Sequence, residues 1–269
     1  MQSIKNILAD WKRISGFKDR NITFNANNFV LTEYYIKAPE ELKKKTILLF
    51  SDTHFCKSKF PYSELAEFIN SLKAEWIIFA GDLVRYLSYC SSAVDFLSML
   101  KAEKAKLAVL GNWEIKKSLW ISTELWNNIY KKSAFQLLAN TISDIPPVQF
   151  IGLKPDTKSA VPSTVLYRKH GIVYTCLASH SPDTIINTHN PEDLKKINLV
   201  LCGHTHGGQI RIPFFGALKT SSAYWKLFEY GHYINKKTQS EMIVTNGIGC
   251  TCINYRFLCK PEIVRINFI

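Results

Sequence analysis

The sequence lacks any long apolar run, although 46% of its residues are hydrophobic. A helix that crosses a membrane needs about 20 consecutive apolar residues, and no such run occurs. The sequence also lacks the pattern of a secretory signal peptide, and no internal repeat, low-complexity stretch or flexible linker divides it. We therefore expect no transmembrane helix, and a chain of 269 residues that folds around one main core.

Acidic residues are scarce relative to basic ones. The chain has 22 Asp and Glu against 34 Lys and Arg, for a formal net charge of +12. This excess predicts an anionic partner such as a phosphorylated substrate or an anionic membrane, although a generally lysine-rich proteome is an alternative explanation. No nucleic-acid-binding module is recognisable, so we expect no nucleic-acid partner.

The seven cysteines form no recognisable disulfide framework. Their number is odd, and a chain of this length needs no disulfides to stabilise its core. Cys250, Cys252 and Cys259 suggest a zinc site, but their spacing is unlike the common zinc motifs. We interpret the cysteines as free thiols and predict a reducing compartment, the cytoplasm.

The N-terminal segment is basic and amphipathic. Between residues 1 and 20, large apolar side chains recur at helical spacing, with lysines and arginines around them. Such a segment lies in a membrane interface, or it docks on the domain or remains a loose terminus. We divide the chain into this segment with a lead-in strand, residues 1–43, and a main domain, residues 44–269. Peripheral contact with the inner face of the cytoplasmic membrane is one predicted use of the segment.

Short apolar runs alternate with helical patterns in the first half of the main domain. Residues 46–50, 76–80 and 107–110 have the composition of buried strands, and apolar residues at 62–73 and 94–100 have helical spacing. This order predicts parallel units of an α/β fold. Further strands are predicted at residues 172–178, 198–202, 208–212, 241–245 and 262–268.

Potential metal ligands follow the apolar runs, where parallel strands bring their carboxyl ends to one rim of a sheet. They are Asp52, His54, Asp82, Asn112, His180, His204 and His206. Seven ligands are more than one tetrahedral ion needs, and the mixed nitrogen and oxygen set suits two manganese ions, with iron or zinc as alternatives. Each histidine alone is more often an ordinary core or surface residue, and each aspartate a turn residue. The ordered set favours the metal site.

The same blocks resemble those of the calcineurin-like metallophosphoesterases, over roughly residues 44–269. The resemblance implies an α/β fold with two facing mixed β-sheets flanked by helices, a four-layer sandwich. It implies two divalent ions and a nucleophile supplied by the metal centre for attack on phosphorus. The implied roles are one ion on Asp52, His54 and His206, the other on Asn112, His180 and His204, a bridge at Asp82, and catalysis by Asp82, Asn112 and His206.

Trp113 departs from the family pattern. The family usually has a histidine there, assigned as the proton donor to the leaving group, and an indole N–H has no useful acidity for that task. A phosphate leaving group needs less help from an acid than an alkoxide does. We therefore predict a pyrophosphate-type substrate in contact with Trp113. Alternatively, Trp113 is a packing residue and another acid, His54 or a water, supplies the proton.

Three stretches near the end of the chain resemble a bacterial branch of the family that includes UDP-2,3-diacylglucosamine pyrophosphatases of lipid A synthesis. They are Gly207-Gly208-Gln209-Ile210, Asn246-Gly247-Ile248-Gly249, and Arg256 with Pro261-Glu262-Ile263. The resemblance implies cleavage of a lipid-linked pyrophosphate to UMP and a lipid sugar phosphate. Arg256 is expected to contact a substrate phosphate through its planar fork or to form a structural ion pair.

Aromatic and apolar side chains follow two of the ligand blocks and would supply a wall for an acyl chain. They are Trp120, Leu125, Trp126, Ile129, Phe214, Phe215, Tyr224, Trp225, Phe228 and Tyr230. Ordinary packing is the alternative for each of them. Two rival functions remain: a general phosphodiesterase or phosphomonoesterase on soluble substrates, and a non-catalytic metal-binding scaffold. The oligomeric state is not predicted.

Overall fold

The computed structural model describes residues 8–14, 20–24, 29–56, 61–116, 121–158, 169–251 and 253–269. These residues form a mixed α/β fold with two seven-stranded sheets. None of the helices in the described ranges is both long and apolar enough to cross a membrane.

The first sheet carries the strands that precede the first three ligand blocks. In spatial order its strands are β2 (Arg20–Phe24), β3 (Val30–Ile36), β16 (Glu262–Phe268), β4 (Thr46–Phe50), β5 (Trp76–Phe79), β6 (Ala105–Ala108) and β7 (Gln136–Leu137). Strands β4 to β7 are parallel, which confirms the predicted parallel units. Strand β16 lies between β3 and β4, parallel to the former and antiparallel to the latter.

The second sheet carries the strands that precede the histidine blocks. In spatial order it contains β1 (Trp11–Arg13), β14 (Gly231–Asn235), β15 (Glu241–Val244), β11 (Leu199–Cys202), β10 (Tyr174–Ser179), β9 (Val148–Leu153) and β8 (Thr141–Ile145). Strands β9, β10, β11 and β15 are parallel, so β10 and β11 end at the same edge. A ribbon of β12 (Arg211–Ile212) and β13 (Gly216–Ala217) follows β11.

Apolar side chains between the two sheets form the central core, in which Leu49 and Ile78 of one sheet cluster with Phe150 and Leu201 of the other. The outer face of the first sheet packs on α1 (Tyr62–Ser71), α2 (Cys90–Met99) and α3 (Thr123–Lys132). The outer face of the second packs on α4 (Pro182–Thr188) and α5 (Pro191–Leu194). Because both faces of the sheets are covered, their central strands are continuous apolar runs. The predicted four-layer architecture is confirmed.

The N-terminal segment contributes a strand where its apolar spacing indicates a helix. Residues 8–10 are helical, but Trp11–Arg13 pair with β14. Trp11 is 5% exposed and lies edge-on to Phe228 at a ring-centroid distance of 6.5 Å. The helical interpretation is wrong for these three residues, because tertiary pairing overrides a weak local preference. Residues 1–7 and 15–19 lie outside the described residues, so membrane contact by this segment stays a prediction.

The strand predicted at residues 208–212 is wrong for most of its length. A 3-10 turn covers His206–Gly208, and only Arg211–Ile212 are in a strand. Gly207 and Gly208 have φ angles of 58° and 80°, which strand backbone excludes. The chain therefore turns immediately after the histidine pair.

Candidate metal centre

The loops that follow five parallel strands bring all seven candidate ligands into one cluster. Asp52 and His54 follow β4, Asp82 follows β5, Asn112 follows β6, His180 follows β10, and His204 and His206 follow β11. All except Asn112 and His204 are buried, and those two are partly exposed. The sequence predicts these strand ends at one rim of a single sheet, but the structure divides them between the two sheets, β4, β5 and β6 in the first and β10 and β11 in the second.

Five of the seven candidate ligands have left-handed backbone. Their φ angles are 56° at Asp52, 44° at His54, 59° at Asp82, 73° at His204 and 52° at His206. A left-handed conformation costs a non-glycine residue about 1–3 kcal/mol and persists only where the surrounding structure imposes it. Such residues are concentrated at functional sites. The backbone at this rim is therefore shaped to aim side chains at one place.

Two glycines allow the ligand loops to approach each other closely. A Cβ atom on Gly111 would lie 2.1 Å from Oδ1 of Asp82, and one on Gly203 would lie 2.2 Å from Oγ of Ser51. Distances this short cannot be accommodated without moving the loops. Glycine at these two positions is thus a condition for the compact cluster.

Asp52, His54 and His206 form the first group of ligand atoms. Nε2 of His206 lies 3.3 Å from Oδ1 of Asp52 and 3.2 Å from Nε2 of His54. Oδ1 of Asp52 is buried and accepts no hydrogen bond from the described part of the chain. Its other oxygen accepts from the amide of His204 at 2.9 Å and from the hydroxyl of Ser51. An oriented carboxylate with one free, buried oxygen fits a cation ligand.

Asp82, Asn112, His180 and His204 form the second group. Nε2 of His180 lies 3.4 Å from Oδ2 of Asp82 and 2.9 Å from Oδ1 of Asn112. Nδ1 of His204 lies 2.9 Å from the same Asn112 oxygen. Oδ2 of Asp82 is also 3.4 Å from Nε2 of His54, so this one oxygen faces both groups.

The hydrogen bonds on the far side of two rings determine what they present to the cluster. Nδ1 of His180 donates to the carbonyl of Ala80 at 2.7 Å, and Nε2 of His204 donates to the carbonyl of Ser221 at 3.1 Å, since a carbonyl only accepts. When the other nitrogen carries no proton, each ring aims the lone pair of that nitrogen at the cluster, which is how metal-bound histidines are oriented. Lone pairs that face one another in a buried space fit a divalent cation.

The electrostatics of the cluster keep Asp52 anionic and His54 neutral, the forms in which each binds a metal ion, and favour positive charge beside Asp82. Burial would raise the pKa of Asp52, but His206, His180 and His54 outweigh it and hold this pKa well below its ordinary value. Burial lowers the pKa of His54 to about 3. Burial also opposes charge on His180, yet Asp82 raises the pKa of that imidazole to about 10. The residues present therefore fit a divalent metal centre.

Glu114 supports the cluster and is the residue that the sequence analysis missed. Its buried carboxylate accepts hydrogen bonds from the amides of Asp82 at 3.1 Å, Leu83 at 2.6 Å and Gly111 at 2.8 Å. Burial, with Asp82 adding to it, raises the pKa of Glu114 to about 7. The available signal was an acidic residue two positions after Asn112 in a Gly-Asn-Trp-Glu sequence.

Trp113 lies against the candidate ligands. Its amide donates to Oδ1 of Asp82 at 2.8 Å, and its indole meets the ring of His54 edge-on at 5.0 Å between centroids. The ammonium of Lys116 lies 3.5 Å from the centroid of the indole, a cation–π contact. The side chain is partly exposed, so it borders the cluster and packs on it at the same time.

Among the described residues, Arg256 forms a backbone cross-link and not the structural ion pair considered from the sequence. Its guanidinium donates to the carbonyl of Gly249 from Nε at 2.9 Å and to that of Asn246 from Nη2 at 2.9 Å. Nη2 also lies 3.3 Å from Nδ1 of His206. Contact with a substrate phosphate stays a prediction.

The predicted aromatic wall divides between core and surface. Trp126 and Phe228 are fully buried, whereas Phe214, Phe215 and Trp225 are exposed. Ordinary packing is thus the outcome for the first two. Trp120 lies outside the described residues.

Known proteins are similar to this sequence. Residues 45–208 match the family model Calcineurin-like phosphoesterase. The chain is 28% identical over 252 residues to the uncharacterized metallophosphoesterase YkuE of Bacillus subtilis, with 86% of this chain and 82% of that protein covered. It is 26% identical over 245 residues to the uncharacterized metallophosphoesterase Cj0846 of Campylobacter jejuni, with 86% and 61% covered.

A shorter similarity is to phosphodiesterase YaeI of Escherichia coli, 29% identical over 90 residues and 32% of each chain. This chain thus spans most of YkuE but less than two thirds of Cj0846. The family match covers well over half of the chain and contains every candidate ligand from Asp52 to His206. On this evidence, the chain belongs to the calcineurin-like phosphoesterase family.

Proposed function

We propose that this protein is a dinuclear-metal phosphohydrolase that cleaves phosphoanhydrides. Family membership supports the coarser statement, a metal-dependent phosphoester hydrolase. In the proposal, Asp52, His54 and His206 hold one ion and Asn112, His180 and His204 the other, with Asp82 between them. The position of Asp82 Oδ2, 3.4 Å from a nitrogen of each group, supports the bridging role.

The bound ions, for which we favour manganese over iron or zinc, would supply Lewis acidity and activate water for in-line attack on phosphorus. The side chains of the protein would position the ions and stabilise the developing charge. Asp82 would hold the two groups in register, since Glu114 orients its amide. Asn112 and His206 would face the developing negative charge of the phosphoryl group, where preorganised polar groups act most strongly.

Trp113 is the observation that carries the preference for an anhydride. The indole borders the cluster where the family's proton donor is expected, and it cannot protonate a leaving group. An alkoxide would leave poorly from such a site, whereas a phosphate leaves without an acid. The cation of Lys116 over the indole would attract an anionic leaving group. We propose UDP-2,3-diacylglucosamine as the substrate, with UMP and a lipid sugar phosphate as the products.

The test is incubation of manganese-loaded protein with UDP-2,3-diacylglucosamine and measurement of UMP release. Asp82→Asn should lose both metal content and hydrolysis, and Asp95→Asn, an exposed aspartate on α2, should keep both. Hydrolysis of other pyrophosphates, with no UMP released from UDP-2,3-diacylglucosamine, would reject this substrate and support the proposed reaction. A wild type that holds the metal but hydrolyses none of these substrates would favour the non-catalytic metal-binding scaffold.

A phosphodiesterase of soluble substrates is the second candidate. The similarity to phosphodiesterase YaeI over 90 residues favours it. It predicts good turnover of bis(p-nitrophenyl) phosphate, with no dependence on lipid or detergent. A higher kcat/KM for an alkyl phosphodiester than for a pyrophosphate would establish this candidate over the first.

A further inference from the structure

Exposed apolar side chains are concentrated on one surface. Fifteen large apolar side chains are exposed among the described residues, and ten of them lie in residues 212–218, 225–227 and 253–258. We name these three segments the apolar patch. Monomeric proteins scatter such residues singly, so a concentration of this kind marks a binding surface.

Hydrogen bonds hold the three segments together. The amide of Arg211 donates to the carbonyl of Phe257 at 3.0 Å, and Nζ of Lys226 donates to the carbonyl of Phe215 at 2.7 Å. Phe214 and Leu258 line one shallow cavity of about 350 Å³. The patch is therefore one continuous, built surface.

Three of its exposed side chains are projected outward by left-handed backbone. Phe214 is fully exposed and has a φ of 65°, Trp225 is 53% exposed with a φ of 51°, and Leu258 is 59% exposed with a φ of 51°. Left-handed backbone is rare for bulky residues. Strain that projects apolar side chains into water is unfavourable for an isolated chain and points to a ligand for them.

The charge of the patch selects the ligand. The sequence from 209 to 228 and from 249 to 261 contains no Asp or Glu but has five basic residues, Arg211, Lys219, Lys226, Arg256 and Lys260. Arg211 pairs with Glu229, and Lys219 and Lys260 are exposed. The ammonium of Lys226 lies 3.3 Å from the ring centroid of Phe215. Aromatic side chains interleaved with exposed lysines, in segments that contain no acidic residue, match the interface of an anionic bilayer.

We propose that the apolar patch docks the protein on an anionic lipid bilayer. Phe214, Phe215 and Trp225 enter the interface, and Lys219 and Lys260 contact acidic headgroups. The patch borders the metal centre, because Ser221 accepts from His204 and Arg256 contacts His206. Docking thus brings the centre to the membrane surface. Docking requires neither a bound metal nor activity, so a test of docking is independent of a test of the proposed reaction.

The test is sedimentation of the full chain with vesicles of phosphatidylcholine alone and of phosphatidylcholine mixed with phosphatidylglycerol. We expect binding to the anionic vesicles only, reduced by salt. The double variant Phe214→Ser, Phe215→Ser should bind about tenfold more weakly, as should Lys219→Glu with Lys260→Glu. The matched controls change exposed residues of α3. The control for the apolar variant is Leu125→Ser, and the control for the charge reversal is Lys131→Glu with Lys132→Glu. Both controls should bind like the wild type.

Absence of binding to either vesicle would overturn the proposal, as would undiminished binding of the patch variants. Gel filtration of the wild type and the Phe214, Phe215 variant tests the competing occupant. A dimer that these two substitutions dissociate would assign the patch to a second copy of the chain.

Discussion

Glu114 accepts a hydrogen bond from the backbone amide of Asp82 at 3.1 Å, and the same carboxylate accepts from Gly111 at 2.8 Å. One buried side chain therefore fastens the loop after β5 to the loop after β6. The proposed bridging ligand lies in the first loop and Asn112 in the second, so their separation depends on this carboxylate.

Glu114→Gln should weaken both the fold and the metal centre. An amide at this position turns an N–H toward backbone N–H groups, which costs about 1–3 kcal/mol for buried partners. Loss of such a supporting contact lowers metal affinity about 10- to 100-fold. Urea denaturation and metal titration measure the two effects. Glu64→Gln, on the exposed face of α1, is the control, and wild-type metal affinity in Glu114→Gln would contradict the assignment.

Gly111→Ala and Gly171→Ala should separate two effects of a single methyl group. At Gly111 the new Cβ would overlap Oδ1 of Asp82, whereas at Gly171 it would meet nothing within 4 Å but would have a φ of 83°. Gly171→Ala should cost about 1–2 kcal/mol and keep full activity. Gly111→Ala should lose metal and activity together. Equal activity of the two variants would show that the close approach of the loops is not required.

Trp113→His should shift substrate preference. An imidazole at this position supplies the proton donor that the indole lacks, and general acid catalysis contributes about 100-fold or more. We expect kcat/KM for an alkyl phosphodiester to rise relative to that for a pyrophosphate. Trp113→Phe retains an aromatic ring without the donor and should leave the ratio unchanged. A ratio unaffected by histidine would mean that proton donation does not limit alkyl ester cleavage here.

Trp11→Ala should destabilise the fold without changing vesicle binding. The indole is buried beside Phe228, and removal of a buried tryptophan costs about 3–5 kcal/mol. Leu125→Ala, at an exposed position, should change the free energy of unfolding by less than about 0.5 kcal/mol. Normal stability with lost vesicle binding would instead assign Trp11 to the membrane.

Much of the fold and site was predictable because the signals are local. The apolar run 46–50 coincides with β4 (Thr46–Phe50), and a strand buried on both faces leaves this mark in any sequence. The ligands at strand ends were predictable as well, since parallel strands bring such ends to one edge of a sheet, although the meeting of the edges of two sheets was not predicted. Neither prediction required knowledge of contacts between residues that are distant in sequence.

The remainder depends on contacts that are distant in sequence. The spacing around Trp11 is compatible with a helix, and only the edge of β14 makes it a strand. Trp126 and Trp225 both have apolar neighbours in the sequence, yet Trp126 is buried and Trp225 is exposed. Glu114 was missed because its partners, the amides of Asp82 and Leu83, lie on another loop.

The position of β16 has a consequence for how the chain folds during synthesis. Val30 pairs with Glu262, and Val264 pairs with Leu49. Among the described residues, β3 and β4 therefore share this sheet through β16, a strand translated long after both. Until residue 262 has been translated, β3 and β4 each lack the strand that pairs with them along one edge. Such late, non-local pairing slows folding and exposes intermediates. The loop that carries Asp52 therefore follows a strand, β4, whose pairing is completed only after β16 has been translated.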